Sequence, residues 1–252
     1  METKQMKPKR ARPKKAAPQV EISPIWAEIG LDKSMLAAVT AVKFVEPSDI
    51  QRELIPHALA GRDCLGQAKT GTGKTAAFAI PMLQMIPAGE KFQAIVLVPT
   101  RELAAQVDEH VRMLGKDHPL RTALCYGGRN IRDQIRVLRT GPEIVVGTPG
   151  RVLDLMSRKE LDLSNVRLAV LDEVDRMLDI GFRDDIRRIL RAIKSKHQTL
   201  FVSATVDDEI RKLAKTYMHE PFELNVSRDE LTVENIDQAY ISVDPHDKFA
   251  TL

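Results

Sequence analysis

The chain has 252 residues, a net charge of +3 at neutral pH and a hydrophobic content of 43%. This length supports one large domain or two small ones, and no apolar run approaches the roughly 20 residues of a membrane helix, so we expect no membrane partner. Cys64 and Cys125 lie in apolar runs, which indicates buried thiols in a cytoplasmic protein rather than a disulfide framework, and the six histidines show no spacing typical of a zinc site.

The first segment of the chain carries most of its basic character. Residues 1–18 hold seven Lys and Arg against one acid, Glu2, so this segment has a charge of +6 and the remainder a charge of −3. Such a composition cannot bury enough apolar surface to fold, and we predict a disordered basic tail over residues 1–20. The tail could bind nucleic-acid phosphates by releasing counterions, or it could be a solubilising or targeting segment, and its composition supports both.

After the tail, amphipathic segments alternate with short apolar runs. Helices are predicted at residues 32–42, 48–60, 75–85, 102–114, 131–138, 151–156, 182–193 and 208–217. The apolar runs predict strands at residues 62–66, 94–98, 121–126, 143–146, 168–171, 199–202 and 222–226. This alternation predicts an α/β fold, doubly wound, with a mostly parallel sheet of about seven strands and helices on both faces.

A glycine-rich loop follows the first predicted strand and opens into a helix. It consists of Ala68, Lys69, Thr70, Gly71, Thr72, Gly73, Lys74 and Thr75. Glycines let successive backbone N–H groups point at an anion, so the loop is typical of a phosphate site. In this interpretation Lys74 reaches the β and γ phosphates and Thr75 offers its hydroxyl to Mg²⁺, while Ala68 stands where the pattern usually begins with Gly. The alternative is a glycine-rich surface turn.

A cluster of acids follows the apolar run 168–171. Asp172 is predicted to hold Mg²⁺, partly through water, and Glu173 to orient or deprotonate the attacking water. Asp175 completes the sequence Asp-Glu-Val-Asp. The alternative for these acids is that they only cap the next helix.

Five polar motifs begin where an apolar run stops. They lie at Ala68–Thr75, Pro99–Arg101, Thr148–Arg151, Asp172–Asp175 and Ser203–Thr205. Because the carboxyl ends of parallel strands meet at one edge of a sheet, these motifs predict a single active face.

Together these motifs resemble the first RecA-like domain of a DEAD-box ATP-dependent RNA helicase, from about Trp26 to Val226. The box departs from the usual pattern, because Val174 occupies a place that Ala normally holds. Residues 24–52 resemble the family's Q motif, and Trp26 precedes Gln51 by 25 residues, which matches the family's spacing. The resemblance implies that Phe44 stacks on adenine and that Gln51 bonds its edge, a task that suits an amide because it both donates and accepts.

The resemblance also implies a set of RNA contacts and a coupling motif. Gly and Pro expose backbone N–H groups, Thr supplies hydroxyls and Arg supplies forked charges, so recognition of the RNA backbone without sequence preference is expected. The implied RNA contacts are Pro99, Thr100, Arg101, Gly127, Gly128, Thr148, Pro149, Gly150 and Arg151. The coupling motif is Ser203-Ala204-Thr205, whose hydroxyls are expected to bond Asp175. Ordinary turn and helix-cap chemistry is the alternative for each of these motifs.

The resemblance implies an ATP-dependent RNA helicase that uses ATP and Mg²⁺ and acts as a monomer. Residues 21–226 are then the ATP-binding domain, and residues 227–252 are a linker with the start of a second RecA-like domain that the sequence lacks. Two alternatives remain: an ATP-dependent RNA clamp or scaffold without unwinding, and a generic P-loop ATPase or DNA helicase subunit. Phe44 and Gln51 argue against the generic ATPase.

Overall fold

The computed structural model describes residues 21–226. The predicted basic tail (1–20) and the predicted linker with the start of a second domain (227–252) lie outside the described residues, so both assignments stay predictions.

Seven parallel strands form one sheet in the described part of the chain, in the order β3-β4-β2-β5-β6-β1-β7. The strands are β1 (Cys64–Gln67), β2 (Ala94–Leu97), β3 (Thr122–Cys125), β4 (Ile144–Gly147), β5 (Leu168–Asp172), β6 (Gln198–Ser203) and β7 (Phe222–Asn225). Each lies where the apolar runs predicted it, and the predicted fold class is confirmed. The sheet was expected to be mostly parallel, and in residues 21–226 it is entirely so.

Ten helices accompany these strands within residues 21–226. They are α1 (Ile25–Glu28), α2 (Lys33–Ala41), α3 (Asp49–Leu59), α4 (Lys74–Met85), α5 (Arg101–Leu114), α6 (Ile131–Leu138), α7 (Pro149–Ser157), α8 (Val174–Ile180), α9 (Arg183–Ala192) and α10 (Asp208–Tyr217). Two of them, α1 and α8, were not predicted. Helix α1 has four residues, too few to show a helical period, and α8 begins inside the acidic motif and ends at Gly181, which has a φ of +98°.

The sheet separates two hydrophobic cores, because successive side chains of a strand point to opposite faces. In β2, Ala94 and Val96 pack with helices α1–α5, whereas Ile95 and Leu97 pack with helices α6–α10. This arrangement confirms the prediction of helices on both faces.

Both cysteines are buried and free, as the sequence indicated. Burial raises the pKa of the Cys64 thiol and of the Cys125 thiol to about 12, so neither is a reactive thiolate at neutral pH. None of the helices described is long and apolar enough to cross a membrane.

The strand order brings three of the predicted motifs together. Strands β5, β6 and β1 are neighbours, and the acidic motif, Ser203 and the glycine-rich loop lie at their carboxyl ends. Side-chain caps fix the start of several helices at this edge: Thr100 accepts a hydrogen bond from Leu103 N (3.2 Å), and Asp207 accepts one from Ile210 N (2.8 Å).

Candidate active site

A central cleft of about 760 Å³ opens at the carboxyl edge of the sheet. It brings together ten of the residues that the sequence singled out: Phe44, Gln51, Thr70, Gly71, Thr72, Gly73, Lys74, Thr75, Asp172 and Glu173. Segments distant in the chain therefore meet in one space large enough for a small organic ligand.

The loop after β1 curls because two of its glycines adopt left-handed backbone conformations. Gly71 has a φ of +81° and Gly73 a φ of +88°, values that favour glycine. A Cβ atom at Gly73 would lie 2.3 Å from Nε2 of Gln51, so no larger residue fits there without displacing Gln51. The loop runs directly into the N-terminus of α4, where free N–H groups and the helix dipole favour an anion.

Lys74 is the first residue of α4, and its side chain is buried without a hydrogen-bond partner. Only 7% of the residue is exposed to solvent, and Nζ has no hydrogen-bond partner among residues 21–226. A buried ammonium without a partner is unfavourable in the free protein. The loop is therefore suited to an anionic ligand that supplies acceptor oxygens to Nζ.

Asp172 lies at the end of β5 and is 2% exposed. Burial raises the pKa of its carboxyl from 3.8 to about 7, while the charge of Lys74 opposes that rise and the neighbouring Glu173 adds to it. Its Oδ1 atom accepts a hydrogen bond from Glu173 N at 3.0 Å. A cation beside Asp172 would favour the ionised form of this carboxyl.

The raised pKa of Asp172 predicts a dependence of stability on pH. In the unfolded chain this carboxyl ionises near pH 3.9, and in the folded chain it ionises near pH 7. Between these values the folded chain binds the extra proton, so the free energy of unfolding falls as pH rises from about 4 to about 7. We expect Asp172→Asn to remove this slope, which is on the order of 1 kcal/mol per pH unit.

Urea unfolding of both proteins at about pH 5, 6 and 7.5 measures the slope. Asp179→Asn, which changes an exposed acid on α8, is the matched control and should keep the slope of the parent chain. Parallel pH profiles for the parent chain and Asp172→Asn would contradict the prediction.

Glu173 adopts an unusual backbone conformation for a residue with a side chain. Its φ is +53°, in the left-handed region, which costs on the order of 1 kcal/mol for a residue other than glycine. Its carboxylate pairs with Arg176, with Nη1 and Oε2 3.2 Å apart. The strained turn presents the carboxylate to the cleft, and Arg176 limits its rotation.

Asp175 links the acidic motif to the loop after β6. Its Oδ2 atom accepts hydrogen bonds from Thr205 N (2.9 Å) and Thr205 Oγ1 (3.0 Å), and its backbone N donates to Ser203 Oγ at 3.1 Å. Burial opposes ionisation of Asp175, but hydrogen bonds from Thr205, Arg176 and Ser203 outweigh it and lower the pKa of the carboxyl. The expected contacts of the two hydroxyls with Asp175 are thus present in the structure.

Gln51 is held by hydrogen bonds at both ends of its side-chain amide. Oε1 accepts from Ser48 N at 3.0 Å, and Nε2 donates to Gly73 O at 3.0 Å. The amide therefore joins the start of α3 to the glycine-rich loop. The proposed adenine reader and the phosphate loop are directly connected.

Phe44 lines the cleft, whereas Trp26 packs against Phe44. Trp26 is fully buried, its Nε1 donates to Phe44 O at 3.0 Å, and the two rings stack with centroids 6.5 Å apart. Phe44 is half-buried and presents its side chain to the cleft. Trp26, which the sequence grouped with the nucleotide-binding residues, thus orients Phe44 and does not itself line the cleft.

The predicted RNA contacts lie along the carboxyl ends of β2, β3 and β4. Arg101 is the first residue of α5 and crosses Gly128, where a Cβ atom would lie 2.4 Å from Nη1 of Arg101. Arg151, in the first turn of α7, donates from both Nη atoms to Arg129 O at 3.3 Å. The N-cap residues of α5 and α7 are Thr100 and Thr148, and Pro149 is the first residue of α7. No atom of residues 21–226 would lie within 4 Å of a Cβ atom added at Gly127 or Gly150, so the described structure leaves the backbone open there.

Three residues of α5 that the sequence did not single out also line the cleft. Gln106, His110 and Met113 lie on one helix face with Leu103, at spacings of three and four residues. That spacing was the available signal, but a helix face with both polar and apolar residues normally indicates only packing or solvation. Ala68 and Lys69 do not line the cleft: Ala68 is buried and bonds Ser203 O at 3.0 Å, and Lys69 is exposed. Val174 is fully buried in the core beneath α8.

Residues 48–213 match a protein family described as DEAD/DEAH box helicase. The chain is 49% identical over 226 residues to the DEAD-box ATP-dependent RNA helicase CshA of Bacillus cereus, covering 89% of this chain and 43% of that protein. It is 45% identical to the CshA of Bacillus subtilis, covering 89% of this chain and 46% of that protein. The chain thus spans less than half the length of these curated relatives.

A solved structure of a DEAD box protein from the hyperthermophile Methanococcus jannaschii has a TM-score of 0.78 with this chain at 39% identity, covering 90% of this chain and 61% of that one. A structure described as a hypothetical ATP-dependent RNA helicase from Sulfolobus tokodaii has a TM-score of 0.73 at 38% identity, covering 77% of this chain and 57% of that one.

Proposed function

The chain belongs to the DEAD/DEAH box helicase family, and we propose that it supplies the ATP-binding half of an ATP-dependent RNA helicase that also contains a second RecA-like domain. One observation carries the proposal: the buried Nζ of Lys74, which has no hydrogen-bond partner among residues 21–226, lies in a cleft that also holds Phe44 and Gln51. A phosphate would satisfy Nζ, and an aromatic ring beside an amide suits a purine base.

ATP would bind with its base against Phe44 and Gln51 and its phosphates in the glycine-rich loop, Ala68 to Thr75. Thr75 and Asp172 are hard oxygen donors of the kind that Mg²⁺ prefers, and they would hold the ion, Asp172 partly through water. Bound Mg²⁺ would supply positive charge that offsets the charge of the phosphates. Glu173 would orient the attacking water and accept its proton.

RNA would bind along the row of glycines, threonines and arginines at the carboxyl ends of β2, β3 and β4. Charged forks at Arg101 and Arg151 suit phosphates, and the open backbone at Gly127 and Gly150 suits close approach of a strand. Recognition would therefore be independent of base sequence. The bonds from Asp175 to Thr205 and Ser203 would transmit changes at the phosphates to this face.

We further propose that residues 227–252 lead to the second RecA-like domain and that the protein acts as a cytoplasmic monomer, where Cys64 and Cys125 stay reduced. The alternative of an RNA clamp without unwinding gains no support from the relatives, which are named as helicases.

Two substitutions test whether the cleft reads both the base and the phosphates. Gln51→Ala is expected to weaken ATP binding by about 1.5 kcal/mol, or roughly tenfold, and to weaken binding of inorganic tripolyphosphate much less. Lys74→Ala should weaken the binding of both ATP and tripolyphosphate, because Nζ would contact only the phosphates, which both ligands carry. Titration calorimetry with ATP and with tripolyphosphate measures the difference.

Gln84→Ala is the matched control, because Gln84 bonds Gly30 O and Asp32 N rather than any residue of the cleft. It should leave both affinities unchanged. Equal weakening of ATP and tripolyphosphate by Gln51→Ala would favour a generic phosphate-binding ATPase over a DEAD-box helicase.

A further inference from the structure

A second groove, here called the edge groove, lies between α5 and α6 and has a volume of about 750 Å³. Asp108 and Arg112 of α5 form one wall, Gln134 and Val137 of α6 form the other, and Leu124 and Tyr126 lie between them. Its residues of α5 belong to a different face of that helix from the face that lines the central cleft. The groove plays no part in the function proposed above.

Two buried acceptor oxygens in the edge groove lack partners. Asp108 and Gln134 are each 7% exposed, and neither Asp108 Oδ1 nor Gln134 Oε1 has a hydrogen-bond partner within residues 21–226. The other end of each side chain is fixed: Arg112 Nε donates to Asp108 Oδ2 at 2.9 Å, and Gln134 Nε2 donates to Tyr126 O at 3.0 Å. Both side chains are thus held in place with one acceptor free for a donor from outside.

The groove also runs along the open edge of the sheet. Strand β3 is the outermost strand at this end of the described sheet. Ile144 N bonds Arg121 O (3.1 Å) and Thr148 N bonds Cys125 O (3.0 Å), so the odd-numbered residues of β3 face β4. Because backbone groups alternate in direction along a strand, those of Thr122 and Leu124 face away from β4. Such an edge can pair with another extended chain.

We propose that the edge groove binds an extended segment of a partner protein, which pairs with β3 and inserts an arginine side chain towards Asp108 and Gln134. The two free atoms are acceptors, so the ligand must donate. A guanidinium has several donors in a planar fork and can serve a carboxylate oxygen and an amide oxygen together. Leu124, Tyr126 and Val137 provide apolar surface for the aliphatic stem of that arginine.

The charges of the groove favour a protein over RNA as its occupant. Three acids and two arginines line it, so the lining has a net negative charge, which disfavours phosphates. The two basic residues already have partners, since Arg112 bonds Asp108 and the guanidinium of Arg129 lies over the ring of Tyr126 at 5.4 Å from its centroid. A polypeptide with a cationic side chain satisfies the free acceptors without this repulsion.

Selection of short random peptides on the full 252-residue chain tests the proposal, with counter-selection on Asp108→Asn. We expect enriched peptides to share an arginine within a stretch of β-branched residues. Replacing that arginine by citrulline, which keeps its shape and removes its charge, should weaken binding about tenfold or more in fluorescence polarisation. Asp108→Asn should weaken binding of the arginine peptide similarly. Asp184→Asn changes an exposed acid of α9 that lies outside the groove and pairs with Arg187, and it should have an effect below about twofold.

Hydrogen exchange distinguishes strand pairing from attachment elsewhere. The bound peptide should protect the amides of Thr122 and Leu124, and thermal melts of both variants should match the parent chain. The proposal is overturned if no peptide is enriched, if the arginine and citrulline peptides bind equally, or if protection appears away from β3. Binding of oligouridine RNA in the groove, strengthened by Asp108→Asn, would replace the protein partner by RNA and equally overturn it.

Discussion

Joining this chain to the second RecA-like domain of a relative is expected to raise ATP turnover by about 10³- to 10⁵-fold over that of the 252-residue chain alone. Among the residues described, no arginine lines the central cleft. Lys74 and Glu173 line the cleft, and Arg176 is already paired with Glu173. We therefore expect the arginine that stabilises the transition-state charge to come from the second domain proposed above.

The measurement is steady-state ATP hydrolysis with and without RNA, for the chain alone and for a fusion to the second half of the Bacillus cereus relative. The unlinked second domain at equal concentration is the control, and it should give much less than the fusion because linkage raises the effective concentration. Strand displacement by the fusion would separate a helicase from a clamp. Strong stimulation of the 252-residue chain by RNA alone would contradict the prediction.

Glu173→Gln in that fusion is expected to lower ATP turnover by about 10²- to 10⁴-fold while changing the affinity for ATP by less than about threefold. Glutamine keeps the size of the side chain and can still contact Arg176, but it cannot accept a proton from water. The strained turn at Glu173, with its φ of +53°, should remain, because the substitution does not alter the backbone requirement.

Single-turnover hydrolysis and calorimetry with a non-hydrolysable ATP analogue separate the two effects. Glu102→Gln, which changes an exposed glutamate outside the cleft, is the matched control and should leave turnover unchanged. Loss of ATP affinity in parallel with turnover would show that Glu173 acts in binding rather than in proton transfer.

The strands could be predicted from sequence because their physical cause is local. A strand buried on both faces needs an unbroken apolar run, and residues 94–97 and 168–171 supply such runs directly. The position of the polar motifs at one edge of the sheet could also be predicted, because the carboxyl ends of parallel strands meet at one edge. Helix α8 escaped prediction because its first turn, Val174 and Asp175, also belongs to the acidic motif, whose residues suggest chemistry rather than a helix.

The parts of the site that depend on distant contacts could not be predicted. Nothing in the sequence shows that Lys74 Nζ has no hydrogen-bond partner in the described part of the chain or that burial raises the pKa of Asp172 to about 7. Both follow from how tightly α4 and β5 pack. The edge groove could not be predicted either, because it also depends on contacts between distant segments. Asp108 and Gln134 read as ordinary polar positions on two helices until the fold places both beside β3.

The two hydrogen bonds of the Gln51 amide orient its side chain before any base binds. A primary amide has two N–H donors and an oxygen with two lone pairs, so the bonds with Ser48 N and Gly73 O leave one N–H and one lone pair free. If Gln51 reads adenine as proposed, the base bonds these two free positions and displaces neither existing partner. Little side-chain entropy is then lost on binding, because the amide is already fixed. A base that offers only half of the required donor and acceptor pattern gains only half of these bonds, so selectivity would follow from an amide that the protein has oriented in advance.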